Sequence, residues 1–403
     1  RLAWLRRACM ALPWLMLAAN GLAWLRWGTD LPFLDDWRAY NERTAGTFGW
    51  GYLFQATNNT IAPVGLALDS LAQRTLGGNP IAYQALSMAA VLGALLALQW
   101  RLLGWAVPDS PARWLAFAAA VFMLQSGSYW GEQSLAYHQA LPLVALLGAV
   151  ALNFSAQTPA RWRVAGVFGL GVLAGLCYIS GAVGALLMGA AWWVLARAVK
   201  SPDLAALIGR SRSGGLALGG AGLLTTALQW ALTRRAGADP RGQGMHLTGP
   251  TEPDFWIYYL GKIGRSTGTA YSYAQAEFVL ALLLAALLVW TFWQLAVGFR
   301  RTGDPQARRA AYVYLPLFLV VMAYVGLVAM GRAAYRDEPL GDVLSVFKHG
   351  YARFHYFWVT LLMPWVAATA YMAYAARRRR FNRGWFNGRG SMFGLLASTP
   401  VAS

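Results

Sequence analysis

Apolar residues in this chain come in long blocks rather than in the alternation of a half-buried strand or the stripe of a soluble amphipathic helix. A helix needs about 20 such residues to cross roughly 30 Å of hydrocarbon. Blocks approaching that length fall at 8–26, 81–103, 112–126, 137–154, 164–179, 182–198, 214–232, 276–298, 311–331 and 354–376. They predict an all-α polytopic membrane protein with about ten transmembrane helices. The stretch 164–198 is ambiguous, because a Gly-rich run through Tyr178, Ser180, Gly181 and Gly184 makes it either two short spans in a tight hairpin or one long broken span. The pairs Gly171 with Gly175 and Gly215 with Gly219 predict helices whose backbones approach closely. The block Ala8–Leu25 follows Arg1, Arg6 and Arg7 as in a signal peptide, but no small-residue cleavage site follows it, so it reads as a retained first span.

Polar sequence between the blocks is unequally divided. Three loops are long, 27–80, 233–275 and 332–353, and they alternate with short basic ones that end in a tail at 377–403. Within 27–80, Pro63 opens an amphipathic stretch reaching Arg74, with leucines at helical spacing and polar residues opposite. Such a stretch is expected to lie flat on the membrane surface. No internal repeat or soluble domain is apparent, so 1–403 reads as a single transmembrane domain.

Charge gives the blocks an orientation. The loops and flanks on the side of the short basic loops hold 21 bases and 3 acids, whereas those on the side of the long loops hold 13 of each, so the net charge of +18 sits almost wholly on one face. Bases accumulate on the cytoplasmic side of inner-membrane proteins. Both termini are therefore expected in the cytoplasm and the long loops in the periplasm. Nearly all bases are Arg, which suits a bacterium of high GC content. The pI of 10.3 would fit nucleic-acid binding, but the bases flank spans instead of forming a patch interleaved with stacking aromatics, and that class is set aside. Cys9 and Cys177 both fall inside predicted spans, so neither a disulfide framework nor a thiolate metal site is expected. No Gly-rich phosphate loop or Walker-type lysine occurs, which argues against an ATPase or a nucleotide-sugar enzyme.

Chemistry is then expected in the long loops. The first begins Leu31-Pro32-Phe33-Leu34-Asp35-Asp36-Trp37-Arg38. A carboxylate half-buried at an interface has raised proton affinity and can act as a general base, which makes Asp35 and Asp36 candidate catalytic residues; either could equally cap a helix starting at Trp37. A second polar group, Glu132, Gln133 and His138 beside Trp130, is costly at the bilayer boundary unless it lines a cavity, and otherwise is an interfacial anchor. A third gathers Arg332, Arg336, Lys348, His349, Tyr351, Arg353 and His355 near the last span. Bases there oppose the charge bias. A lipid phosphate at headgroup depth would account for them, as would pairing with Asp337, Glu338 and Asp342.

The acidic pair after the first span, the long first loop with its amphipathic helix and the basic cluster in the last long loop together resemble the GT-C superfamily of integral-membrane glycosyltransferases. That resemblance implies a GT-C-like fold with interfacial helices in the first periplasmic loop and a polyprenyl-phosphate-linked sugar as donor. It implies a base or acceptor-orienting role for Asp35 or Asp36, and a phosphate site at Lys348 and Arg353 with Arg332 and Arg336. Trp37, Arg38, Glu132, His138, His349 and Tyr351 would line the substrate cleft. A His often precedes the proline of the amphipathic helix in that family; here the residues are Asn59-Thr60-Ile61-Ala62-Pro63. No metal ligand set is apparent, and whether a divalent cation takes part stays open. The expected partners are membrane lipids, the lipid-linked donor and a periplasmic glycan or lipid acceptor. Rival readings are an O-antigen-ligase-like polysaccharide transferase using Arg241, His246 and Arg265, a transporter, and a non-catalytic subunit of a membrane complex. The scarcity of ionisable residues at span centres argues against proton-coupled transport.

Overall fold

The computed structural model describes residues 2–27, 47–57, 60–107, 110–123, 139–199, 202–236, 247–266, 273–301, 305–334, 342–351 and 357–374. Asp35, Asp36, Trp37, Arg38, Glu132, His138, Arg336, Arg353, Arg241, His246 and the tail 377–403 lie outside the described residues, so the roles expected of them rest on the sequence.

Among the described residues the protein is helical apart from one two-residue hairpin, β1 (Ala56–Thr57) with β2 (Thr60–Ile61). The helices are α1 (Leu2–Trp27), α2 (Pro63–Leu76), α3 (Pro80–Ala106), α4 (Pro111–Met123), α5 (Leu141–Asn153), α6 (Ala160–Cys177), α7 (Ile179–Ala198), α8 (Ala205–Ala236), α9 (Pro253–Arg265), α10 (Ala274–Arg301), α11 (Pro305–Arg332) and α12 (Val343–Tyr351). A final helical stretch follows at 357–374, broken at residue 361. Seven of the described helices, α1, α3, α6, α7, α8, α10 and α11, are long and apolar enough to cross a membrane. This is a multi-pass, all-α membrane protein. Helices α4 and α5 coincide with two more of the apolar blocks and, within the described residues, are shorter than a full span.

The ambiguous stretch resolves into two helices. Tyr178 is extended between α6 and α7, and the chain reverses there: Gly171 and Gly175 of α6 meet Leu218 and Thr225 in ascending order along α8, whereas Gly189 of α7 meets Gly219. Gly181 closes the hairpin, since a Cβ there would strike the Ala174 carbonyl and lie 3.0 Å from Pro142 Cβ. At Gly189, Gly219 and Gly222 helices α7 and α8 pack backbone against backbone, and Gly171 and Gly175 of α6 admit the Leu218, Ala221 and Thr225 side chains of α8; such close approach is how apolar helices associate in lipid, where burial alone gives no drive.

Contacts at the two ends of the bundle sort the loops as charge does. At one end, Arg113 donates to the Trp100 carbonyl, Arg210 to Phe154 and Arg212 to Ala196, while Phe154 touches Trp105, Trp192 and Tyr312. At the other end Gln229 of α8 ties down the hairpin. Its amide donates to the carbonyls of Ile61 (2.9 Å) and Gly175 (3.1 Å), and its Oε1 accepts from the Ile61 N–H (2.8 Å) and the Thr60 hydroxyl (3.1 Å). All these groups are buried. Gln229→Leu should therefore cost about 2 kcal/mol by orphaning backbone groups, and should loosen the segment 47–76; urea unfolding and amide exchange of Ile61 would measure both.

Helix α2 departs from the surface-helix pattern. Asp69 and Ser70, on the side expected to face water, are buried, while Leu71 is exposed. The polar face turns inward because it has partners there: Tyr83 donates to Asp69 (2.8 Å) and the Ser70 hydroxyl donates to the Thr47 carbonyl. Gly77, at φ +60°, ends the helix.

Candidate functional site

The chemistry gathers at the Gln229 end, where α9 crosses α12 beneath the end of α11. Helix α9 follows from its sequence: Pro253 occupies the first turn with Asp254 beside it, and Lys262 and Arg265 occupy the last turn, where cations suit the helix dipole. Glu252 accepts from the Gly249 N–H (2.7 Å), fixing the approach to the helix. One face, Phe255, Tyr258, Gly261 and Lys262, is buried against Ala329, Ala333 and Val346 and against α12.

Lys262 is 1% exposed. Its Nζ lies 5.0 Å from the centre of the Tyr258 ring, close enough for a cation–π contact. Burial pushes the ammonium pKa down to about 7, and the neighbouring charges of Arg332 and Arg265 push the same way. Arg265 stands over the Tyr351 ring at 5.6 Å. His349 lies edge-on to Tyr258 at 5.4 Å, and its Nε2, when protonated, donates to the Arg332 carbonyl (3.1 Å). Burial raises the pKa of Tyr258, with Arg332 opposing that shift, so its hydroxyl is neutral at physiological pH. Three cations, an imidazole and two phenols are thus drawn together from α9, α11 and α12. Tyr324 of α11 stacks on Trp358, with ring centres 4.3 Å apart.

Of the residues singled out from sequence, the structure brings Arg332, His349 and Tyr351 into this cluster. Lys348 stands elsewhere: it is exposed on α12, whose buried side is Val346, Phe347 and Gly350. Asp342 caps that helix, accepting from the Ser345 N–H (2.8 Å) and hydroxyl (2.9 Å); those bonds, more than the charge of Lys348, hold its carboxyl below the usual range. Sequence reasoning missed Lys262, its most buried member. The signal was there: Phe255, Tyr258 and Lys262 share one helical face, and Lys262 is one of only three lysines in an Arg-dominated chain.

Beside the cluster, the opposite face of α9 borders an apolar groove of about 470 Å³ between α9, α10 and α11, walled by Tyr259, Ile263, Leu288, Phe292, Phe318 and Met322. Its rim residues Val289 and Leu319 are exposed on the span surfaces, so the groove opens toward lipid. Among the described residues, no three His, Cys, Asp or Glu side chains gather to hold a metal ion. An anion is the ligand this arrangement suits: Arg offers a planar fork and Lys a point charge, both in a low-dielectric setting that strengthens the attraction.

No protein-family model matches this chain, and no curated protein or solved structure is significantly similar to it.

Proposed function

We propose that the protein is an integral-membrane glycosyltransferase that takes a sugar from a polyprenyl-phosphate donor and passes it to a periplasmic glycan or lipid-linked acceptor. The observation that carries this reading is the cluster of the buried Lys262 with the half-buried Arg265 and Arg332, on the helix whose other face borders a lipid-facing apolar groove. A phosphate with an isoprenoid tail combines the two complementary halves of such a site. Sugar transfer from that donor leaves a lipid phosphate, and cations positioned at the departing oxygens lower the barrier. In this reading Asp35 or Asp36 deprotonates the acceptor hydroxyl, and Trp256, with its indole donating to the Pro250 carbonyl (2.7 Å), stands at the groove as a surface on which an apolar sugar face or chain can rest.

The proposal places the chain in a bacterial inner membrane with ten spans, both termini in the cytoplasm and the Lys262 cluster in the periplasm. Reporter fusions test that map: fusions after Arg113 and Arg301 should read cytoplasmic, and one after Pro250 periplasmic. A periplasmic signal at Arg301 would put the cluster on the wrong side for a lipid-linked donor.

Function itself is tested by reconstituting the full chain in vesicles that contain polyprenyl-phosphate sugars together with a lipid-linked glycan acceptor. The expected result is accumulation of sugar-free polyprenyl phosphate that depends on the protein. Donors that neither bind nor react would overturn the reading. The ligase-like alternative has one observation in its favour, the contribution of Arg265 from the 233–275 loop to the cluster. Preference for a pyrophosphate-linked oligosaccharide over a monophosphate-linked sugar in the same vesicles would select it.

A further inference from the structure

Helix α10 carries a carboxylate on its buried side. Glu277, Ala281, Leu288, Thr291 and Leu295 recur at helical spacing and are all buried, whereas Val279, Leu282 and Leu283 on the other side are exposed. Glu277 is 6% exposed, and its Oε1 is enclosed with no hydrogen-bond donor among the described residues. An acid in the first turn suits the helix dipole, but Gln275 and Ala276 in the same turn are exposed, and an acid at either would gain that attraction while keeping its water. Burying an unpaired carboxylate is costly. Its position calls for a ligand that brings hydrogen-bond donors.

The neighbours of Glu277 narrow the chemistry of that ligand. Helices α9 and α10 meet where the Ala281 Cβ lies 2.8 Å from the Cβ position of Gly264. On one side of this contact, Ile263 of α9 and Ala285 and Leu288 of α10 wall the apolar groove. On the other side stand Arg265, the last residue of α9, and Glu277, one turn before Ala281. Tyr351 of α12 closes this end: its ring edge is 3.3 Å from the same Gly264 position, and the Arg265 guanidinium lies over its face. Phe278, next to Glu277, packs on Phe347 of the same helix, with ring centres 5.2 Å apart. Groove, base and carboxylate thus follow one another along α9 and α10. A lipid-linked sugar phosphate has its parts in the same order: chain, phosphate, ring hydroxyls.

We propose that Glu277 accepts hydrogen bonds from ring hydroxyls of the donor sugar and so selects which sugar the site takes. The inference rests on the lipid-linked donor reading and adds to it the residue that reads the sugar. A carboxylate offers two acceptor oxygens side by side and can take a pair of neighbouring hydroxyls, so it distinguishes sugars by how those hydroxyls are placed. A sugar that fails to supply them leaves the carboxylate buried and unpaired, which costs about 10-fold or more in affinity. Deprotonation of the acceptor stays with Asp35 or Asp36. Glu277 sets specificity.

Lipid binding to the full chain in nanodiscs tests the proposal, with polyprenyl phosphates carrying glucose, galactose or mannose, which differ only in how their hydroxyls are placed, and with sugar-free polyprenyl phosphate. Wild type should separate the three sugars by about 10-fold. Glu277→Gln keeps the shape and removes the charge, so it should weaken the best-bound sugar lipid about 10-fold, bring the three sugars together, and leave the sugar-free lipid unchanged. A structural fault would not spare the sugar-free lipid. Equal losses on all four lipids, or the same ranking of sugars in variant and wild type, would overturn the assignment. Should the variant fail to fold, wild type decides with a donor bearing a diazirine on the sugar ring: adducts at 277–281 support the contact, and adducts confined to other segments remove it. A wild-type chain that binds none of the four lipids would instead refute the donor reading itself, and the sugar contact with it.

Discussion

Replacing Lys262 by methionine is expected to weaken binding of a polyprenyl-phosphate sugar about 100-fold while making the ligand-free protein more stable below about pH 7. The two effects share one cause. Lys262 is buried beside Arg265 and Arg332, so its charged form is costly in the empty site and stabilised when an anion arrives. Removing one partner of a desolvated charge pair costs about 2–5 kcal/mol in binding, and the low end of that range already gives a loss of roughly 30-fold. Methionine has similar length and no charge to desolvate, so the empty fold gains. The pH dependence follows with a definite sign. Lys262 titrates near 7 in the folded protein against 10.5 unperturbed, so the unfolded chain binds more protons across that window and wild-type stability rises as pH goes from about 7 to 10.5. Equivalently, stability is lost as pH falls toward 7. Donor affinity runs the other way, because the anion needs the ammonium form: it should drop by up to tenfold per pH unit above 7. A sugar phosphodiester keeps one charge throughout, so the slope belongs to the protein. Denaturant midpoints and donor titrations between pH 6 and 9 measure both trends, and the Lys262→Met variant should flatten both. An unchanged donor affinity in that variant would separate Lys262 from any phosphate.

Much of the architecture was legible in the sequence because lipid leaves little choice: backbone polar groups must be satisfied within a span, so a long apolar block has to be helical. The Gly-rich break at Tyr178 was legible as an ambiguity, and what decides it is three-dimensional, the stacking of Gly175 on Thr225 and of Gly189 on Gly219. The inward-facing polar side of α2 was not legible, since period alone does not say whether Asp69 meets water or the hydroxyl of Tyr83. Arg332, His349 and Tyr351 were found because bases on that face violate the charge bias. Lys262 was passed over because it lies in a different loop, 233–275, and only the crossing of α9 and α12 carries it to Arg332. Such a crossing depends on surface shape, which hydropathy does not record.

That crossing is also where a single small substitution should do the most structural damage. Gly350→Val is expected to destabilise the α9–α12 unit by about 3 kcal/mol or more and to remove donor binding with it. A Cβ at Gly350 would run into the Tyr258 carbonyl and sit 2.8 Å from Tyr258 Cα, and one at Gly261 would sit 2.6 Å from the Phe347 carbonyl oxygen and 2.7 Å from the Tyr351 nitrogen. The obstacles are backbone atoms, not side chains that could change rotamer, so relief requires the helices to part. Parting them would strip His349 from Tyr258, withdraw Tyr351 from beneath Arg265 and admit water to Lys262. Once solvated, Lys262 should recover an ordinary lysine pKa, and the pH slope of donor binding near neutrality should vanish even where residual binding can be measured. This outcome separates the crossing from a purely local fault: Gly350→Ala, with the smallest possible Cβ, should show a weaker version of the same pattern. Hydrogen exchange should place the new protection losses in 253–265 and 343–351 while the α6–α8 bundle stays protected. If Gly350→Val left both helices protected and the donor bound, the close crossing of α9 and α12 would not be what assembles the cation cluster.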